Sequence, residues 1–184
     1  DYNIAIGLNV MSDLDIGGEA KDCNHNIGIG AFAMDGTWAN VKSEYNVAIG
    51  SSAMAGAMNG AGNNTAVGKN ALALLTEGDH NIAIGVQSLA VATDNTRNIA
   101  IGYQTLFAAN QGESNNICIG YLAGDSLNNP AADDNVLIGD SAGRGGTGTM
   151  AGCVAIGSSA MASTVSNAQT GTVAIGYQSL TALT

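Results

Sequence analysis

Residues 81–89 read Asn81-Ile82-Ala83-Ile84-Gly85-Val86-Gln87-Ser88-Leu89, and residues 98–106 read Asn98-Ile99-Ala100-Ile101-Gly102-Tyr103-Gln104-Thr105-Leu106, a near-copy displaced by 17 positions. Self-similarity at a period of this size marks a stacked repeat architecture, and it decides the fold before any local reading does. Working outward, the pattern recurs around Gly7, Gly30, Gly50, Gly68, Gly120, Gly139, Gly157 and Gly176, at intervals of 17 to 23 residues. Ten copies fill residues 1–184 as a single repeat domain. The chain starts at Asp1 in mid-repeat, so it reads as a piece of a longer fibre.

Within each copy, Ile precedes the glycine, with Val67 the one exception, and a β-branched residue stands two places earlier. Between them lies a small residue, usually Ala; Gly28, Cys118 and Leu137 depart from that. Alternation of bulky and small predicts a short strand with one bulky face and one small face. One such strand is marginal alone. Ten at near-constant spacing predict an all-β, parallel β-solenoid (a β-roll or β-helix) of ten coils of about 18 residues, rising about 48 Å at about 4.8 Å per coil.

Four places before the glycine stand Asn3, Asn26, Asn46, Asn64, Asn81, Asn98, Asn116 and Asn135, giving way to Cys153 and Thr172. Stacked coils would join these amides into a hydrogen-bonded ladder; alternatively, each Asn supplies a left-handed turn into its strand. After the glycine come two variable residues, a small one and then Met or Leu, as in Met34, Met54, Leu72 and Leu89; Gly124 and Gly143 break this last position. That segment is either a short strand or one helical turn, and both put the Leu or Met inside the coil. The remaining stretches are polar turns, where insertions are tolerated. The candidate surface-recognition residues are Trp38, His80, Arg97, Tyr103, Tyr121 and Tyr177. Trp38 has a second reading, as the cover of an end coil.

Composition narrows the function. Hydrophobic residues make up 46% and charged residues 11% of the chain, which excludes disorder driven by charge. The net charge of −10, with Lys21, Lys42, Lys69, Arg97 and Arg144 scattered, argues against nucleic acid and against anionic membrane surfaces. No apolar run reaches the roughly 18 residues of a membrane span, so no membrane insertion is expected. Cys23, Cys118 and Cys153 have no metal-ligand spacing and read as small buried hydrophobes. No cofactor and no metal is expected. Asp13, Asp15, Asp133 and Asp134 read as solvated turn carboxylates, because neither the calcium-binding nonapeptide nor the EF-hand loop is present. Gly145-Gly146-Thr147-Gly148 lacks the Gly-Lys-Ser/Thr of a phosphate loop.

The repeat Asn-x-Ala-Ile-Gly-x-x-Ala-Leu resembles those of phage tail fibres, and equally the Ala-Ile-Gly repeats in the heads of trimeric autotransporter adhesins. Ile101-Gly102-Tyr103-Gln104-Thr105-Leu106 and Ile175-Gly176-Tyr177-Gln178-Ser179-Leu180 lie nearest the tail-fibre form. The resemblance covers all ten copies. It implies three chains side by side, a homotrimer, on an extracellular or virion surface, attaching to a cell-surface receptor or glycan. The small face of each strand suits that close approach between chains. The expected function is thus structural and adhesive, with a pure spacer rod as one alternative. The enzymatic alternative is a hexapeptide-type left-handed β-helix acyltransferase. Most intervals here are not 18, however, and its catalytic histidine could only be His25 or His80, which share a turn position with Tyr45 and Arg97. The chain is therefore expected not to be an enzyme.

Overall fold

The structure, a computed structural model, describes residues 2–12, 23–38, 41–110, 112–144, 148–163 and 168–181. Asp13, Asp15, Lys21 and the Gly145-Gly146-Thr147 segment lie outside the described residues. The repeat strands are β1 (Ile4–Ile6), β2 (Ile27–Ile29), β3 (Val47–Ile49), β4 (Thr65–Val67), β5 (Ile82–Ile84), β6 (Ile99–Ile101), β7 (Ile117–Ile119), β8 (Val136–Ile138), β10 (Val154–Ile156) and β12 (Val173–Ile175). They form one sheet in chain order, every neighbour parallel and every repeat position paired with its equivalent, as in Ile82↔Ile99 and Ala83↔Ala100. The two short strands β9 (Met150–Ala151) and β11 (Gln169–Thr170) pair on another side of the coil. No helix occurs among the described residues. The chain is an all-β parallel solenoid.

The strand faces are reversed from the use the trimer expectation made of them. The small middle residues point inward: Ala48, Ala66, Ala83, Ala100, Cys118, Leu137 and Ala155 are fully buried and Ala174 nearly so, while Ala5 in the first strand is exposed. The Ile and Val on either side point outward and stay part-exposed. Steric room explains the reversal. The interior is already occupied by Met34, Met54, Leu72, Leu89, Leu106 and Met161, all wholly buried and reaching in from the opposite side of the coil. A β-branched residue at the middle position would overfill that space. The face of small residues therefore lines the core and is not a surface on which another chain could pack.

The exceptions to the repeat obey the same volume rule. Gly143 replaces the interior Leu or Met in the eighth coil, where Leu137 replaces the usual Ala; a Cβ on Gly143 would lie 2.7 Å from Leu137 Cδ1. In the seventh coil, Gly124 accompanies Cys118, whose Sγ lies 3.1 Å from where that Cβ would be. Gly28 makes room for Val10 of the coil before, whose Cγ1 would sit 2.6 Å from an added Cβ.

The segment after the glycine is neither strand nor helical turn. Its second and fourth residues hold positive φ, for example Gln87 at 58° and Leu89 at 49°, a left-handed conformation uncommon outside glycine. Coil-to-coil bonding continues through it, with Leu89 N–H donating to Thr105 O at 3.0 Å and Gln104 N–H to Val86 O at 3.0 Å. Stacking hydrogen bonds on both sides of the residue hold the backbone where its own preference would not.

Candidate functional site

The asparagines come first, because they fix the pitch of everything outside them. Each ladder Asn side chain is inside the coil, and Asn26, Asn46, Asn64, Asn81, Asn98, Asn116 and Asn135 are fully buried. The Oδ1 of one accepts from the backbone N–H of the next, as from Asn64 N–H to Asn46 Oδ1 at 3.0 Å. In most coils it also accepts from the next amide, as from Asn64 Nδ2 at 3.1 Å. The second Nδ2 hydrogen goes to a turn carbonyl, Gly78 O at 2.8 Å for Asn64 and Glu113 O at 2.8 Å for Asn98. Each amide thus satisfies groups that would otherwise be buried unpaired. Where the ladder ends, Cys153 N–H donates to Asn135 Oδ1 at 2.9 Å, and the Cys153 thiol reaches Gln169 O at 3.3 Å, the same role in weaker form. The left-handed residue is the one before the ladder Asn: His80 has φ 59° and Arg97 58°, whereas no ladder Asn has positive φ. The asparagines therefore form a ladder and do not supply the left-handed turn.

Outside this ladder runs the sheet's outer face. Of its twenty outward strand side chains, nineteen are Ile or Val and one is Thr65. Exposure of Ile82 and Ile84 is 37% and 38% in mid-rod, rising to 67% for Ile175 in the last strand. At the strand and residue spacings of a sheet, the double column projects to roughly 500 Å². That matches the largest apolar patches found on monomers, which are often functional.

Two exposed columns flank the face. On one side are the residues before the ladder asparagines, where His25 stacks between Tyr2 and Tyr45 at ring separations of 5.0 and 4.9 Å. His80 and Arg97 follow on this column, and Arg97 Nε donates to Asn115 Oδ1 at 2.7 Å. On the other side are the residues after the glycines. Here Tyr103 and Tyr121 stack at 5.3 Å, and Tyr177 is 74% exposed in the last coil. Five of the six candidate recognition residues are thus surface residues, but they border the sheet face and do not sit on the far turns. Trp38 does not belong with them. It is 6% exposed, with Nε1 donating to Met34 O at 3.4 Å, so it closes the second coil from within. Its indole is too large for the surface of a narrow turn to leave out of the core.

The turn carboxylates are not all loosely solvated. Asp79 Oδ1 accepts from Gly62 N–H at 2.6 Å, and Asp133 Oδ1 from Ser114 N–H at 2.6 Å, each pinning the coil before it. No cluster of three or more metal-ligating side chains occurs among the described residues, and no helix there is long and apolar enough to cross a membrane. Burial drives the Cys118 thiol well above its ordinary range, leaving it without nucleophilic character. The feature that sequence reasoning missed is the outer Ile/Val face. The volume pairs Val10–Gly28 and Leu137–Gly143 were its signal, since they put the middle position inside. Compared with family models, with curated proteins and with solved structures, the chain finds no match.

Proposed function

We propose that this chain is a rod segment of an extracellular or virion fibre that associates with copies of itself, as a homotrimer, and serves attachment to a cell surface. The observation that carries the reading is the outer face, Ile or Val at every outward strand position but Thr65, which runs through all ten coils in one parallel register. Coil length varies between 17 and 23 residues, yet the stretch from ladder Asn to glycine never changes. All variation in length falls on the other sides. A surface held regular in this way, and apolar over its whole length, suits burial against another rod. With its two flanking columns the face spans roughly 950 Å², above the ~800 Å² per partner of a standard interface. The resemblance of the repeat to tail-fibre and adhesin-head repeats supports the same reading and gives the number three.

A second reading, the pure spacer, is favoured by one observation. The exposed tyrosines flank the association face and Trp38 is buried, so the aromatic residues best suited to receptor or glycan contact are committed elsewhere. Light scattering of the purified chain tests the association: a trimer is expected, and a monomer at concentrations where circular dichroism still reports strand overturns it. Binding of the fluorescently labelled chain to cells separates attachment from spacing.

A further inference from the structure

The turn before β4 contains Asn59-Gly60, the one Asn-Gly step in the chain. An asparagine followed by glycine is chemically exposed, because no Cβ shields the next backbone nitrogen from the side-chain carbonyl carbon. That nitrogen can attack Asn59 Cγ, losing its proton to water while ammonia leaves with Nδ2. Water then opens the cyclic imide at either carbonyl. The product is an aspartate, or an isoaspartate whose backbone runs through the side chain. In sum, one water is consumed and one ammonia released, and no other reactant is needed.

In this fold the pair is held from both neighbouring turns. Gly60 N–H donates to Ser43 Oγ at 3.0 Å, in the turn before β3. Asn59 Nδ2 donates to Glu77 Oε1 at 2.6 Å, and Asn59 N–H to Thr76 O at 2.8 Å, both in the turn before β5. Each bond opposes the reaction. Ser43 holds the hydrogen that the attacking nitrogen must lose. Glu77 fixes the side-chain amide, and its negative charge disfavours the backbone amide anion through which attack proceeds. We propose that Asn59 is a guarded deamidation site: the stacked turns keep it intact, and their opening lets it convert. Conversion then prevents the turns from closing as before. The new carboxylate faces Glu77, so a like-charge pair stands where a hydrogen bond had been. The isoaspartyl form also lengthens the backbone and draws Gly60 N–H away from Ser43. The converted fraction thus records how often these turns have parted, a local opening distinct from unfolding of the whole rod. The device works within a single copy and is independent of self-association.

Peptide mass mapping of the full chain, incubated in neutral buffer, tests the guard. The Asn59 peptide should convert several-fold faster in urea than in the folded chain. Ser43→Ala should speed conversion several-fold without unfolding, because Ala61 and Ala132 already occupy the equivalent position in other coils, each with its carbonyl bonded to a ladder Asn as that of Ser43 is. Continued protection of Cys118, which is fully buried, from iodoacetamide shows that the stack has stayed closed in that variant. Glu77→Gln keeps an oxygen for the Asn59 amide but removes the charge, and it too should convert several-fold faster. Asn59→Asp mimics the product: its urea midpoint should fall, and adding Glu77→Gln should restore most of the loss. Equal rates in the folded chain and in urea overturn the guard, as does either variant converting at the native rate. An Asn59→Asp chain as stable as the native one overturns the claim that conversion loosens the turns.

Discussion

At the level of single residues, the repeat glycine is the least replaceable position. Gly85 has φ +136°, a region open essentially to glycine alone, and a Cβ there would lie 2.2 Å from Gly102 O of the next coil. The neighbouring backbone cannot retreat, because Gly102 N–H is bonded to Ile84 O at 2.8 Å. Gly85→Ala should therefore cost at least about 3 kcal/mol, the sum of backbone strain and a clash with rigid backbone, read as a lower urea midpoint at unchanged slope. Left-handed residues give the opposite prediction. Ser52, half-buried at φ 55°, bears strain that glycine would relieve. Ser52→Gly should raise stability by up to about 1 kcal/mol in the same titration. Cys118 offers a test of burial. Thiol reagents attack the thiolate, and desolvation by complete burial raises this pKa far above neutrality. Labelling by iodoacetamide at pH 8, located by peptide mass mapping, should therefore leave Cys118 unmodified until the chain is unfolded.

Among the elements, strands were legible and their orientation was not. The step of two between β-branched residues marks Ile82–Ile84 and Ile99–Ile101 as strands in any context, since alternation is intrinsic to extended backbone. Which face turns inward depends on how much space the rest of the coil leaves, and that is a tertiary quantity. Ranking by hydrophobicity alone sends Ile inward; the Leu or Met four places after the glycine had already taken the room. The left-handed segment was illegible for a related reason, because Met34, Leu72 and Leu89 have no local preference for φ near 50° and are held there by bonds to neighbouring coils. The volume rule that corrects the orientation can itself be measured. Leu137→Ala should cost about 2–5 kcal/mol by leaving a void. Gly143→Leu alone should cost about 1–3 kcal/mol, because its side chain would enter the space of Leu137. The double variant recreates the pattern of the fifth and sixth coils, small in the strand and Leu in the turn. It should be more stable than the sum of the single losses by about 1–3 kcal/mol, which a double-mutant cycle in urea resolves. Additivity would remove the packing explanation of the repeat's exceptions.

For the whole rod, the question is what a stack of ten near-identical coils does with the side that never varies. Nearest-neighbour stacking alone makes a stable solenoid, and it needs the ladder and the inner column but nothing from the outer face. An exposed face free of selection for contact would be free to carry Lys or Glu, which keep sheets soluble; instead, nineteen of its twenty positions are Ile or Val. Under the proposed association, folding and assembly would draw on opposite faces of one strand, and a substitution could strike one without the other. Ile101→Lys places its charge outside the coil, beside half-exposed Ile84 and Ile119, where a monomer can hydrate it. In an assembly the same ammonium would be enclosed among apolar side chains, at a cost of several kcal/mol per copy. The variant should keep its strand signal in circular dichroism while sedimenting as a smaller species. Its melting temperature should lose the dependence on protein concentration that an associating chain shows. The inward counterpart, Ala100→Lys, should abolish the fold instead, because Ala100 is fully buried against the interior leucines. If both variants unfold alike, the outer face belongs to the fold and not to assembly; if Ile101→Lys leaves sedimentation and melting unchanged, the face contacts no second copy.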